Sequence, residues 1–452
     1  MPVAARLKLL LALALPMVLA RATQSVITFA DALQVKHLGA GALAATATGG
    51  LNVIGFVVLP MGTVFIVQSF VSQLVGRGAR DQAPRYAWYG LAIAAAAAVI
   101  SALMIPLIEP ALSLTGYSSG VRADMGQYME IRILSVGAAV GVEALGNWYG
   151  GLGNTWMQMV AGLISMVLAV GFNWLLIDGH LGAPALGVAG AAWASVIATW
   201  AGFGFLALAF ARGWGGAPQP AGKLGLSIGE LRRVVKFGLP NGFNWFLEFA
   251  AFQLFVNGVL ASLGDETVAA LNVVIAVNSI SFMPAFGLAS AGAILAGQAI
   301  GRGDRDAVWP QVKVTLACTG IWMGVTGALY LVAPGWVLSL FEEPGKSGDL
   351  VAIGTGMLAL SAAWQVFDAT AMTISETLRA AGDTFWTAAA RVVLAWAVFM
   401  PAAYLVVTRW NGGPLAAMLC LAGYMGLLAL TFALRFKSGA WRKIELIEPV
   451  LV

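Results

Sequence analysis

Long apolar segments recur along the whole chain, and they restrict its fold more than any other feature of the sequence. Each is about 20 residues or longer, enough for a helix to cross a hydrocarbon core of about 30 Å. Hydrophobic residues make up 60% of the 452 residues and charged residues only 10%, which is far from the composition of soluble domains. The sequence therefore predicts an all-α membrane protein.

Twelve such segments are predicted to span the membrane, and no soluble domain remains outside them. They are numbered spans 1 to 12 in chain order. Their residues are 9 to 34, 47 to 71, 86 to 107, 125 to 146, 157 to 177, 186 to 211, 233 to 260, 270 to 298, 310 to 333, 350 to 376, 385 to 408 and 413 to 434.

Basic residues lie mostly in the loops on one side of the predicted membrane, and such loops face the cytoplasm. This side carries Arg77, Arg80, Arg85, Arg212, Lys223, Arg232, Arg233, Lys236, Arg302, Arg305 and Arg379. The opposite loops carry Glu109, Asp178, Asp265, Glu266, Glu342 and Glu343. Both termini are therefore predicted to be cytoplasmic, and the net charge of +4 reflects topology rather than nucleic-acid binding.

The chain contains an internal duplication. The segment that starts at His37 aligns without gaps with the one that starts at Ser262, and the run of Gly76 to Asp81 matches Gly301 to Asp306. Each half holds six spans, so the two halves run in the same direction through the membrane, and parallel repeats of this kind place a substrate site between them. We expect two pseudo-symmetric six-helix lobes, residues 1–220 and 221–452, around a central cavity. Pro16 and Pro240 are expected to begin or kink equivalent helices.

A few charged residues lie inside the spans, where each costs at least about 2.5 to 3.5 kcal/mol and marks a functional site by default. Asp31, Glu248 and Asp368 are the main candidates, and their helices carry polar stripes on one face. The stripes are Arg21, Gln24, Thr28 and Asp31 in span 1, Asn241, Asn244 and Glu248 in span 7, and Ser361, Gln365, Asp368 and Ser375 in span 10. Glu143, Arg21 and Arg391 are lesser candidates whose roles stay open.

Carboxylates held partly away from water respond to a proton, a metal ion or an organic cation. If a coupling cation and a cationic substrate compete for them, opposite gradients produce antiport. Asn173 is a candidate ligand through its amide oxygen, and Trp245, Trp364 and Met372 are candidates for an aromatic and thioether wall around hydrophobic cations. The alternative is structural: hydrogen bonds between helices, or permanent ion pairs with Arg21 or Arg391.

Several stretches together resemble the multidrug and toxic compound extrusion (MATE) family. These stretches are "LPMVLARATQSVITFADALQVKHLGAGALAA", "FNWLLIDGHLGAPALGVAGAAWAS", "GLPNGFNWFLEF" and "WQVFDATAMTISETLRAAGDT". The resemblance implies a bacterial inner-membrane exporter of cationic, amphipathic compounds, driven by Na⁺ or H⁺, with no further cofactor. It also implies that Asp31, Glu248 and Asp368 handle the cation, and we expect a monomer in membrane lipid.

The sequence departs from the family pattern at one position. Some members carry an acid four residues after the Asn of span 5, but this chain has Ile177 there and Asp178 one residue later. That departure favours a coupling-ion site at Glu248 and Asp368, and Na⁺ over H⁺, although both remain open. The alternative function is a flippase for lipid-linked oligosaccharide or peptidoglycan precursors, which requires a basic cavity. An enzyme is not expected, because no metal or nucleophile constellation is present.

Overall fold

The computed structural model describes residues 2–218, 224–339 and 349–447. Within these ranges the chain is nearly all helical and contains no strand, so the all-α prediction is confirmed. The predicted boundary between residues 220 and 221 lies outside the described residues, as do Lys223, Glu342 and Glu343.

The first half of the chain forms nine α-helices, and each of spans 1 to 6 overlaps one or two of them. Span 1 is α1, spans 2 and 4 are each divided between two helices, span 3 lies in α4 and the short turn after it, and spans 5 and 6 are α8 and α9. The helices are α1 Val3–Val35, α2 Ala40–Val64, α3 Val67–Arg77, α4 Pro84–Met104, α5 Ile108–Ser113, α6 Ser119–Ile133, α7 Val136–Gly151, α8 Trp156–Asp178 and α9 Val188–Arg212.

The second half forms eight α-helices, and π-helical turns at Phe255–Val259 and Leu394–Phe399 continue α10 and join α15 to α16. Span 7 is α10, span 8 is α11, span 10 is α14 and span 12 is α17. The helices are α10 Ile228–Leu254, α11 Asp265–Gly301, α12 Val308–Val332, α13 Pro334–Ser339, α14 Asp349–Ala380, α15 Thr384–Val393, α16 Met400–Thr408 and α17 Pro414–Lys437.

Ten helical segments in the described part are long and apolar enough to cross a membrane. Spans 4 and 7 are not among them. Span 4 is divided into helices of 15 and 16 residues. In α10, charged residues including Glu230 and Lys236 lower the hydropathy of the first turns. The chain is a multi-pass membrane protein.

The helices pack into two compact units. The amino-terminal unit is Pro16–Gly242, and the carboxyl-terminal unit is Phe243–Val452 together with Met1–Leu15. In the amino-terminal unit α8 packs along α9, α4 along α7 and α2 along α6. In the carboxyl-terminal unit α14 is central, because α11, α12 and α17 all pack against it. The residues of span 10 therefore lie at the centre of their unit.

The backbone repeats where the sequence repeats. Gly39 and Gly264 precede α2 and α11 with φ of 106° and 105°, and Gly78 and Gly303 follow α3 and α11 with φ of 77° and 79°. Side chains with a Cβ rarely adopt these angles, so glycine is required at both copies. The duplication read from the sequence is therefore also present in the local structure.

Pro16 and Pro240 lie inside helices and not at their starts, because α1 begins at Val3 and α10 at Ile228. The expectation that they begin their helices is wrong. A proline inside a helix removes one backbone hydrogen bond and favours a kink. The chain passes from one unit to the other within these helices, at Leu15–Pro16 and at Gly242–Phe243.

Candidate functional site

Glu248 forms an ion pair with Arg391 inside the carboxyl-terminal unit. Nη1 of Arg391 lies 3.0 Å from Oε1 and 3.1 Å from Oε2 of Glu248, and 143 residues separate the two in sequence. Helix α10 carries the carboxylate and α15 the guanidinium, which also lies over the ring of Phe432, 5.4 Å from its centroid. The pair is accessible: 34% of the Glu248 side chain and 20% of the Arg391 side chain are exposed.

Asp368, on α14, lies within electrostatic range of both members of this pair. In the described part of the chain it has no hydrogen-bond or ion-pair partner, and it is half-buried. Tyr424 on α17 lies in the same electrostatic neighbourhood, and its hydroxyl is buried without a hydrogen-bond partner among the described residues. Four helices thus bring two acids, one guanidinium and one phenol together, and we call these four residues the carboxyl-terminal cluster.

Gln365 lies one turn before Asp368 but faces a different set of neighbours. Its Nε2 donates to Oδ1 of Asn278 at 2.6 Å and to Oγ of Ser281 at 3.2 Å. Asn278 donates to Oγ of Ser361 at 3.1 Å. Gln365 is 1% exposed, and its Oε1 is buried without a partner within the described residues. This polar network joins α11 to α14, which is a structural role, and the cation-binding role of Gln365 stays a prediction.

Asp31 and Asn173 meet in the amino-terminal unit. Nδ2 of Asn173, on α8, donates a hydrogen bond to Oδ1 of Asp31, on α1. Asn173 is fully buried and Asp31 is half-buried. Arg132 and the hydroxyl of Ser195 belong to the electrostatic neighbourhood of Asp31. Two other side chains of the predicted stripe, Gln24 and Thr28, are exposed.

No second carboxylate joins Asp31 from α8. Ile177 is 2% exposed and packs in an apolar cluster with Val35 and Ala191. The carboxylate of Asp178 instead lies 2.6 Å from Nε2 of His37, and both side chains are substantially exposed. The amino-terminal unit therefore offers one acid and one amide, whereas the carboxyl-terminal cluster offers two acids.

Arg21 shares a helix stripe with Asp31, but its acidic partner is Glu143. Its Nη2 lies 2.8 Å from Oε1 of Glu143, which is 3% exposed. Asn147 donates to the same carboxylate oxygen at 3.0 Å. A buried acid that is paired and hydrogen-bonded in this way stabilises helix packing, and it leaves the Asp31 carboxylate to Asn173.

The predicted wall residues differ in their packing. Trp364 is 9% exposed and belongs to the main apolar core of its unit. Met372 is 6% exposed and packs with Met323 and Ala369. Trp245 is half-buried on the same helix as Glu248, and Asn244 is buried with its Oδ1 unpartnered within the described part of the chain. The substrate-wall role of Trp245, Trp364 and Met372 stays a prediction.

Two residues near these acids, Tyr424 and Arg132, were not candidates from the sequence. Tyr424 lies in an apolar span with no polar stripe to single it out, and Arg132 lies in span 4 outside any recognised motif. Only the packing of α17 and α6 brings them near Asp368 and Asp31. The available signals were the charge of Arg132 inside span 4 and the polar hydroxyl of a tyrosine inside span 12.

Comparison with known proteins gives the class of the molecule. The family model described as MatE matches residues 16–175 and again 242–405, so the chain belongs to the MatE family of membrane transporters and is not an enzyme. The two matches follow the internal duplication.

Curated relatives and solved structures agree with this class. A probable multidrug resistance protein NorM of Neisseria meningitidis serogroup A is 28% identical over 90% of this chain and 88% of its own length. The NorM of Pseudomonas putida is 26% identical over 98% and 96%. The outward-facing structure of a multidrug resistance MATE family transporter superposes with a TM-score of 0.87 at 18% identity, covering 97% of both chains. The solved neighbours have the twelve-helix fold, as predicted for this chain.

Proposed function

We propose that this chain is a secondary-active multidrug exporter that exchanges cationic, amphipathic compounds for Na⁺ or H⁺ by alternating access. One observation carries the proposal: Glu248 binds Arg391, and Asp368 of another helix lies within electrostatic range of that pair, inside a membrane-crossing unit. The relatives that match nearly the whole chain are named as probable multidrug resistance proteins. Their names support the same type of cargo.

The chemistry follows from the cost of charge in a membrane. An ionised carboxylate away from water is costly unless a positive group compensates it. Asp368 has no direct hydrogen-bond or ion-pair partner in the described chain, and the one guanidinium within its electrostatic range, Arg391, is already paired with the partly accessible Glu248. A metal ion, a proton or an organic cation therefore each gains from entering the cluster. Because they compete for the same oxygens, binding of one favours release of the other, and a gradient of one drives transport of the other.

Sodium is the favoured coupling ion. The cluster offers carboxylate and phenol oxygens, which suit a hard cation, and the amino-terminal unit has Ile177 where a second acid would complete a site with Asp31. Glu248 and Asp368 are the residues that would bind Na⁺. Protons are the alternative, since the same carboxylates can accept them.

The proposal includes a location. The arginine-rich loops favour both termini in the cytoplasm. We propose a monomer surrounded by lipid in a bacterial cytoplasmic membrane, in line with its bacterial relatives. The flippase alternative needs a site with net positive charge for phosphates. The two carboxylates and one guanidinium of the carboxyl-terminal cluster sum to −1 when all are ionised, which disfavours anionic cargo.

The test is transport in proteoliposomes that contain the purified protein. We expect ethidium to move when a Na⁺ gradient is imposed at constant pH, and to move slowly or not at all under a proton gradient alone. Asp368→Asn and Glu248→Gln should each lower the initial rate at least about tenfold, because a tenfold change corresponds to the loss of only about 1.4 kcal/mol of interaction.

Asp178→Asn is the matched control, since it removes a carboxylate from the exposed pair with His37. Its transport rate should equal that of the original protein. Wild-type rates in both Asp368→Asn and Glu248→Gln, with normal thermal unfolding, would remove the site. Transport of a lipid-linked pyrophosphate without any cation requirement would support the flippase instead.

A further inference from the structure

Arg391 is fixed in the carboxyl-terminal cluster by contacts from two directions. The carboxylate of Glu248 accepts from its Nη1 at 3.0 and 3.1 Å, and the ring of Phe432 lies 5.4 Å from the guanidinium carbon. Asp368 adds electrostatic attraction from α14. An arginine keeps its positive charge under all ordinary conditions. The cluster therefore contains a permanent internal cation.

This internal cation sets the charge that the cluster can accept from outside. Glu248 and Asp368 contribute −2 when ionised and Arg391 contributes +1, so the sum is −1. The other ionisable side chain in the cluster, Tyr424, is neutral as a phenol. One added monovalent cation brings the sum to zero. A second positive charge would be uncompensated in a region of low dielectric constant, which is costly.

We propose that Arg391 makes the cluster selective for a single positive charge, so that it binds monocationic compounds and monovalent ions in preference to dications. The inference rests on the proposed function, because it assumes that this cluster binds cargo. It extends that function by naming the charge class of the cargo and the residue that determines it.

The geometry allows the guanidinium to remain compensated when a cation enters. An incoming cation that takes the accessible side of Glu248 weakens its bond to Arg391. Asp368 and the face of Phe432 still attract the guanidinium. Arg391 is therefore still compensated within the cluster when one monovalent cation is bound.

Two dyes with the same ring system test the inference. Ethidium carries one positive charge and propidium carries two, and their affinities for purified protein in detergent can be measured by calorimetry without any gradient. The wild-type protein should bind ethidium more tightly. Arg391→Gln, which lowers the sum to −2, should raise the affinity for propidium relative to ethidium by about tenfold or more, since each unit charge is felt strongly at short range.

Charge-matched variants separate charge from shape. Arg391→Lys keeps the charge and should keep the wild-type preference. Arg442→Gln removes an arginine from an exposed pair with Asp306 and should change neither affinity. Glu248→Gln brings the charge sum to zero and should lower the affinity for both dyes. The double variant Glu248→Gln with Arg391→Gln returns the sum to −1, so ethidium binding should recover.

An unchanged affinity ratio, within about twofold, in folded Arg391→Gln would overturn the inference, as would a double variant that binds ethidium no better than Glu248→Gln. If Arg391→Gln does not fold, the double variant decides, because it removes both partners of the pair together. If a gradient drives ethidium transport but Arg391→Gln leaves the ratio of propidium to ethidium affinity unchanged, only the charge selectivity is refuted. If the affinity ratio changes as predicted but no gradient drives transport, only the antiport is refuted.

Discussion

Asn173 donates a hydrogen bond to Asp31, while its own amide oxygen is a buried acceptor with no partner in the described chain. Leaving a buried acceptor unsatisfied costs about 1 to 3 kcal/mol. Such an arrangement can be retained when the acceptor is used in another step of a cycle. The amino-terminal unit thus has a polar site, but one with a single carboxylate.

We therefore expect the two units to contribute unequally to coupling. Asp31→Asn should slow sodium-driven ethidium transport by less than about tenfold, whereas Asp368→Asn should slow it by more than about tenfold, which corresponds to a loss of over about 1.4 kcal/mol. The measurement is the initial rate in proteoliposomes at equal protein content. An Asp31→Asn variant as inactive as Asp368→Asn would contradict the unequal contribution and make both units necessary for coupling.

The buried pair of Arg21 and Glu143 should stabilise the fold. Glu143→Gln leaves the guanidinium without its acid, and breaking a buried pair costs about 3 kcal/mol at the lower end of the usual range, a value that suits an Arg21 side chain that is 20% exposed. Removing both charges, with Arg21→Gln added, should recover most of that loss. Thermal unfolding in detergent measures both effects. Equal stability of Glu143→Gln and the original protein would contradict the prediction.

Helices α2 and α10 approach each other through glycine within the amino-terminal unit. A Cβ on Gly242 would lie 2.3 Å from the carbonyl oxygen of Leu59 and 2.4 Å from Oγ1 of Thr63. Gly242→Ala should therefore destabilise the protein by about 1 to 3 kcal/mol. A Cβ on Gly55 of α2 would have no neighbour within 4 Å among the described residues, so Gly55→Ala should be neutral or slightly stabilising. Thermal unfolding compares the two, and equal midpoints would be inconsistent with close helix contact.

Arg435 binds Asp383 through two nitrogens and also stacks on an aromatic ring. Its Nε and Nη2 lie 2.7 and 3.1 Å from the two carboxylate oxygens, and its guanidinium lies 4.9 Å from the centroid of Trp386. Lysine cannot reproduce the fork or the stacking, so Arg435→Lys should lower stability by about 1 to 2 kcal/mol.

Arg442 provides the control for this substitution, because its pair with Asp306 is exposed. Arg442→Lys should change the unfolding free energy by less than about 0.5 kcal/mol. Denaturant titration of both variants gives the comparison. A loss as large in Arg442→Lys as in Arg435→Lys would show that the bidentate geometry has no special effect.

The sequence by itself determined the fold class, the duplication and the main acids. Apolar length depends only on consecutive residues, and so does the glycine spacing that repeats at Gly39 and Gly264. Asp31, Glu248 and Asp368 stand out for the same reason, because a charge in an apolar run is visible without any neighbour. Periodicity also placed Arg21 on the same helix face as Asp31. It could not show that the acidic partner of Arg21 is Glu143.

Tertiary packing alone decided which charges meet. Arg21 pairs with Glu143, 122 residues away, and Arg391 with Glu248, 143 residues away. Such pairs depend on the depth and rotation of one helix against another, and helix periodicity carries no information about either. The same packing buries Trp364 and leaves Asp368 without a fixed partner among the described residues, because the surroundings of a side chain are contributed by residues distant in sequence.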